Sequence, residues 1–249
     1  MEIYSVIDPS VHKRIELENY KNKSFNVLIQ WHNGEYDLLN EFPNINILVD
    51  SGAFAANVYE NLLDDKSLKN YSDNYQKFIE NTKNDKRIKG YFDMDFTNNG
   101  LNYIKKIRHK LFNISEKIIP VFHTEWGINE FKQMCLNYNY IAVCNRDGIK
   151  TEGYLPLVKY AHKYQTKVHG LGINNNRLLH QVPFDSVDSI IWLSNSYFEY
   201  YTNKNIEKNR ENNKIYRPLY EKKGFLDQIK RQTYYKKYWN TYDNLIKSK

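Results

Sequence analysis

The chain has 249 residues, a formal net charge of +7, 41% hydrophobic residues and two cysteines. That is enough apolar material for a real core, yet no stretch approaches the roughly 20 apolar residues that span a bilayer. The first ten residues lack the basic and apolar regions of a secretory signal. Cys135 and Cys144 are too few for a disulfide framework or a cysteine-rich zinc site, so a reducing, cytoplasmic setting is expected. The charge is unevenly spread. Residues 203–249 hold 13 Lys+Arg against 5 Asp+Glu, whereas residues 1–202 hold 23 against 24. The 32 Asn and 22 Tyr point to an AT-rich genome, so part of the lysine excess is compositional.

In chain order, short β-rich runs fall at 3–7, 25–31, 45–51, 91–96, 118–124, 138–145, 167–173 and 187–193. Several are nearly continuous apolar runs, as strands buried on both faces should be. Between most of them lie polar stretches with helical spacing, at 71–82, 102–111, 128–136 and 154–164. Alternating strands and helices imply parallel strands joined by helical crossovers. Eight such units predict an α/β fold, a (β/α)8 TIM-type barrel, irregular in its first units, with its site at the C-terminal strand ends. A doubly wound open sheet is the alternative. The division expected is a barrel over 1–198 and a basic helical extension over 199–249, with a polar loop at 203–213. The extension carries Tyr234, Tyr235, Tyr238, Trp239 and Tyr242 among lysines. Interleaved aromatics and cations suit a nucleic-acid backbone with stacked bases. A terminal helix packing its aromatic face on the barrel is the plainer reading, and the two are compatible.

The strand ends are the informative positions. Strand three ends in Asp50, followed by Ser51, Gly52, Ala53 and Phe54. Strand four carries Asp93 and Asp95, two apart and so expected on one face. Strand five ends in His123, Thr124 and Glu125; strand six in Ala142, Val143, Cys144 and Asn145; strand seven contains His169 and Gly170; strand eight contains Asp188. Carboxylates in apolar strands are costly to bury unless paired or used. Two chemistries suit several Asp and one or two His at a barrel mouth. One is metal-assisted hydrolysis of a small substrate, with Asp and His as ligands. The other is glycosidic chemistry by paired carboxylates, which needs no metal or other cofactor. Individually, Phe54 and His123 also read as core, and Asp185 as a turn residue.

Here the residues resemble a known family. Asp50-Ser51-Gly52-Ala53-Phe54 looks like the DSGGF motif of tRNA-guanine transglycosylases, and Val187-Asp188-Ser189 like their nucleophile segment. His169-Gly170-Leu171-Gly172 resembles their MGVG loop, and the strand holding Asp95 stands where they carry a base-recognising Asp. The order is that of the family, and 167–192 is closer still to short phage and bacterial relatives such as the 7-deazaguanine DNA transglycosylases. The resemblance covers roughly 45–193. It implies that Asp188 attacks C1′ of a nucleotide and that Asp50 shuttles a proton to and from the base. It implies that Asp95, with Asp93 as second choice, binds base N–H groups, and that Phe54 and His169 sandwich the base. His123 would contact base or ribose, while Ser51, Gly52, Ala142, Val143 and Gly170 line the pocket.

The departures narrow the expectation. No CxCxxC zinc spacing follows the barrel, the family's second Gly is Ala53, its following Gln is Ala55, and Ile190-Ile191-Trp192-Leu193 replaces its basic segment. DNA is therefore expected over tRNA, with a free purine or 7-deazapurine base as co-substrate, or water in its place. Phosphate contacts are expected from Lys222, Lys223, Lys230, Arg231, Lys236 and Lys237. A non-catalytic binder of modified nucleic acid is a further alternative.

Overall fold

The computed structural model describes residues 1–53, 65–144 and 149–247. The strands are β1 (Glu2–Val6), β2 (Phe25–Gln30), β3 (Ile45–Asp50), β4 (Ile88–Phe92), β5 (Ile118–Ile119), β6 (Val121–Phe122), β7 (Tyr140–Cys144), β8 (Lys167–Leu171) and β9 (Ser186–Ser189). The helices are α1 (Pro9–Arg14), α2 (Glu35–Leu38), α3 (Asp65–Thr82), α4 (Leu101–Ile114), α5 (Gly127–Asn137), α6 (Thr151–Lys163), α7 (Asn176–Gln181), α8 (Ile191–Thr202) and α9 (Arg210–Lys247). The sheet order is β5-β4-β3-β2-β1-β9-β8-β7-β6, with every pairing parallel.

The two edges of this sheet meet in one chain segment. β5 pairs with β4, β6 pairs with β7, and only Pro120 stands between them. Proline has no N–H to give a ladder, so the segment changes partner there. The Pro120 carbonyl still accepts from Ala142 N at 2.8 Å. The nine strands therefore close as the eight-unit TIM-type barrel expected, with strand five broken into two halves.

Alternate residues point inward. Tyr4, Leu28, Leu48, Phe92, Ile119, Val121 and Ala142 fill the barrel interior. Outside, the shell packs in two clusters. One centres on Val27, Ile47, Tyr75, Ile79 and Leu111, the other on Phe131, Ile141, Val158, Val168 and Leu179. Gly90 is required by the interior: a Cβ there would stand 2.2 Å from Ile119 Cδ1.

α9 is part of the shell rather than an appendage. Its buried residues Glu221, Phe225, Gln228, Gln232, Tyr235 and Trp239 recur at alternating steps of four and three, which sets polar and apolar side chains together on one side of the helix. Phe225 enters one outer cluster, Tyr235 and Trp239 the other. Gln232 accepts from Asn26 N at 3.0 Å and donates to Ser5 Oγ at 3.1 Å, tying the helix to β1 and β2. A division at 198/199 falls inside α8, and the helix beyond it closes the same body. The sequence expectation is corrected on that point. The loop expected at 203–213 is shorter, because α9 begins at Arg210.

Candidate functional site

β9 runs parallel to β8 with Ser186 beside His169, so Ser186 and Asp188 follow one another up the inner wall next to that histidine. Asp188 Oδ1 lies 3.0 Å from His169 Nε2 and accepts from Gly172 N at 2.9 Å. Its Oδ2 makes no hydrogen bond to a described residue. His169 is wholly buried, with Phe92 4.8 Å from its ring on one side and Tyr4 edge-on at 6.4 Å. Its Nδ1 lies 2.5 Å from Ser186 Oγ, and that hydroxyl bonds in turn to the Tyr140 hydroxyl. Burial drives the Tyr140 pKa well above that of an ordinary phenol, so its O–H stays protonated.

On β3, Asp50 Oδ1 accepts from Gly52 N at 2.9 Å. The turn requires glycine: Gly52 has φ +69°, and a Cβ there would stand 2.5 Å from the Tyr71 hydroxyl. The Tyr71 hydroxyl and Trp31 Nε1 both donate to the Ser51 carbonyl, at 2.8 and 2.9 Å. This pins the peptide beyond Asp50. Beside β4 and β6, Asp95 Oδ2 lies 2.7 Å from His123 Nε2, and both side chains keep some exposure. Trp126 packs edge-on to His123 at 4.8 Å.

Asp93 has a different task. β4 ends at Phe92, so Asp93 and Asp95 lie beyond the strand, where strand alternation does not apply. Asp93 Oδ2 takes Arg108 Nε at 2.6 Å, and its Oδ1 takes Val121 N at 2.9 Å. Its own N–H donates to Ile119 O at 3.1 Å. Asp93 thus bridges the two halves of the strand broken at Pro120, and its buried carboxylate is consumed there rather than offered to a base.

Asp188, Asp50, Asp95 and His123 all come to the C-terminal end of the barrel. His169 does not lie open on a base-binding face; it lies beneath Asp188, inside. Val143 points outward into the shell while Ala142 points into the interior. Gly170 sits in the ladder between Val143 and Val187, and a Cβ there would stand 2.7 Å from Ile173 Cδ1. Phe54 lies outside the described residues. Of the lysines on α9, Lys222 pairs with Glu16, Lys223 with Glu199, Lys230 with Asp227 and Lys236 with Glu2. Arg231 binds Asn174 and Asn176, and Lys237 is exposed.

Sequence reasoning did not single out Tyr140, Ser186 or Arg108. Ser186 stands two residues before Asp188 and therefore on its face. Arg108 interrupts the apolar stripe Ile104, Ile107, Leu111 of α4, which marks a charge on a buried helix face. Among the described residues, no three His, Cys, Asp or Glu side chains gather as a metal site requires, and no helix is long and apolar enough to cross a membrane.

Neither a protein-family model nor a curated protein matches the sequence. Among solved structures, the fold is similar to that of a proposed fructose-1,6-biphosphate aldolase from Coccidioides immitis. The TM-score is 0.53 with 9% identity, over 92% of this chain and 89% of that one. A likeness at this identity concerns the barrel alone.

Proposed function

We propose that the chain is an enzyme that cleaves the N-glycosidic bond of a target base in nucleic acid, DNA in preference to tRNA, through Asp188 and Asp50. The observation that carries this reading is the state of Asp188. One oxygen is held by His169 Nε2 and the Gly172 N–H, and the other makes no hydrogen bond to a described residue, on an inward-facing position at the strand end. A carboxylate held in this way is oriented for nucleophilic attack. A base in a duplex must first be flipped out to reach such a pocket.

In the proposed reaction, Asp188 Oδ2 bonds to C1′ as the C1′–N bond breaks, and Asp50 gives its proton to the departing base. A free purine or 7-deazapurine base then displaces the carboxylate at C1′ and returns its N–H proton to Asp50. Water in place of the incoming base makes the same step an excision. Asp95, carried by His123, is the acceptor for base N–H groups. Phosphate contacts by α9 require its lysines to exchange Glu16, Glu199, Asp227 and Glu2 for phosphate oxygens.

The test is nucleoside mass spectrometry of DNA and tRNA after incubation with and without added base. A mass shift that requires the added base supports exchange, and abasic sites formed without it support excision. Full activity in both Asp188→Asn and Asp50→Asn overturns the proposal.

A further inference from the structure

The four buried polar groups Asp188, His169, Ser186 and Tyr140 form one chain, and its hydrogens can be placed by elimination. An ionised carboxylate only accepts, so His169 Nε2 carries the proton shared with Asp188 Oδ1. In a neutral imidazole Nδ1 is then an acceptor, which makes Ser186 the donor to it. Ser186 has spent its hydrogen, so Tyr140, whose buried hydroxyl stays protonated, donates to Ser186. Every donor points toward Asp188. Phe92 and Tyr4 pack the imidazole from two sides, so its ring plane is set by the apolar interior as well.

We infer that His169 is a positioning residue for the glycosidic step: with its ring set by Phe92 and Tyr4 and its Nδ1 bonded to Ser186, it presents Nε2–H to Asp188, pins Oδ1 together with the Gly172 N–H and leaves Oδ2 as the attacking oxygen. This rests on the reading of Asp188 as nucleophile. It also assigns a second use to the same two donors. Once Oδ2 is bonded to C1′, Oδ1 becomes the ester carbonyl oxygen and still accepts from His169 and Gly172. When the incoming base or water displaces the ester, the returning negative charge meets donors already in place, with no reorganisation. The histidine never bonds to substrate and gives up no proton.

The arrangement is read directly in the free protein, by long-range proton–nitrogen correlation spectroscopy of histidine-labelled samples. The His169 resonances are assigned by their loss in His169→Gln. The expected result is the Nε2–H tautomer in the wild type and in Ser186→Ala, and a tautomer mixture in Asp188→Ala, which removes the acceptor at Nε2. An Nδ1–H tautomer in the wild type overturns the inference whatever the activity of the protein.

Kinetics supply the second arm. Removal of one donor to a charged oxygen predicts about a 10- to 100-fold loss of kcat in His169→Leu with KM little changed. His169→Gln places an amide N–H near the Nε2 position and should recover most of kcat. A KM that rises as kcat falls in His169→Leu, or a glutamine variant no better than leucine, overturns the positioning role. If His169→Leu does not fold, Asp188→Ala keeps the test: an unmixed wild-type tautomer in that variant is the contrary result. Full activity in Asp188→Asn would instead sink the glycosidic reading and leave the tautomer measurement standing.

Discussion

Two regions of the barrel solve the same problem with opposite outcomes. At the seam around Pro120, Asp93 is buried and takes one donor on each oxygen, the Arg108 guanidinium and the Val121 N–H. At the β8–β9 end, both contacts of Asp188 fall on a single oxygen, from His169 Nε2 and the Gly172 N–H. The first carboxylate has nothing left to offer and joins two half-strands. The second is oriented and keeps one oxygen without a bond to any described residue. Burial alone does not separate them; the distribution of donors over the two oxygens does.

The sharpest way to break this contrast is to neutralise each acid in turn. Asp188→Asn should lower turnover by about 10³-fold or more while the fold survives. Asp93→Asn should instead act on stability, with residual activity in the folded fraction. Denaturant melts and single-turnover assays on both variants separate the outcomes, and a similar activity loss in both erases the distinction.

Arg108→Met leaves the Asp93 carboxylate buried without its cation, and the expected cost is about 3–5 kcal/mol in urea unfolding. A loss under ~1 kcal/mol would mean that the seam does not depend on the pair.

Glu35, at the start of α2, sharpens the comparison as an acid buried without a cation. It is 1% exposed, and burial pushes its carboxyl up to about 7. In the unfolded chain it ionises near ~4.3, so between those values the unfolded state holds fewer protons than the folded one. Its contribution to stability is complete below ~4.3 and is lost as pH rises through about 7. Glu35→Gln should match the wild type near pH ~4 and exceed it at pH ~8 by about 3–4 kcal/mol. Melting curves at both pH values check this, and a constant offset would refute it.

The smallest effect concerns the lysines of α9, which are engaged groups too. Replacing Lys222, Lys223, Lys230 and Lys236 by Gln should reduce the salt slope of DNA binding by fewer than four counterions, because each lysine already has a carboxylate partner. A slope unchanged within error would remove α9 from the phosphate contacts.

Much of the barrel was legible because inward and outward positions are both apolar in a two-faced core, so Val27–Ile29 or Ile47–Val49 can hardly be anything but strand. The errors have physical causes. Ile190-Ile191-Trp192-Leu193 reads as the end of a strand, yet α8 starts at Ile191 and buries Trp192 and Leu193 against the outer shell. The fourth strand was placed too late, since Lys89 and Gly90 break the apolar run of Ile88–Phe92 that the interior accommodates around Ile119. Asp188 and Asp50 stand at strand ends, where sequence is a good guide. His169 and Asp93 could not be assigned correctly because their roles depend on partners from other strands and from α4. Pairing of β7, β8 and β9, and packing of α4 on β4 and β6, bring those partners together.

The way α9 closes the shell has a consequence for how the protein is made. Gln232 holds Ser5 across 227 positions of sequence, and the outer face of β1 stays uncovered until that helix is in place. During synthesis the first strands must wait, with apolar side chains such as Ile3 and Ile7 in water, for nearly the whole chain to emerge. At 5–20 residues per second that is on the order of tens of seconds of exposure. Chaperone capture of nascent chains that stop short of α9 is the cellular signature of such a late clasp.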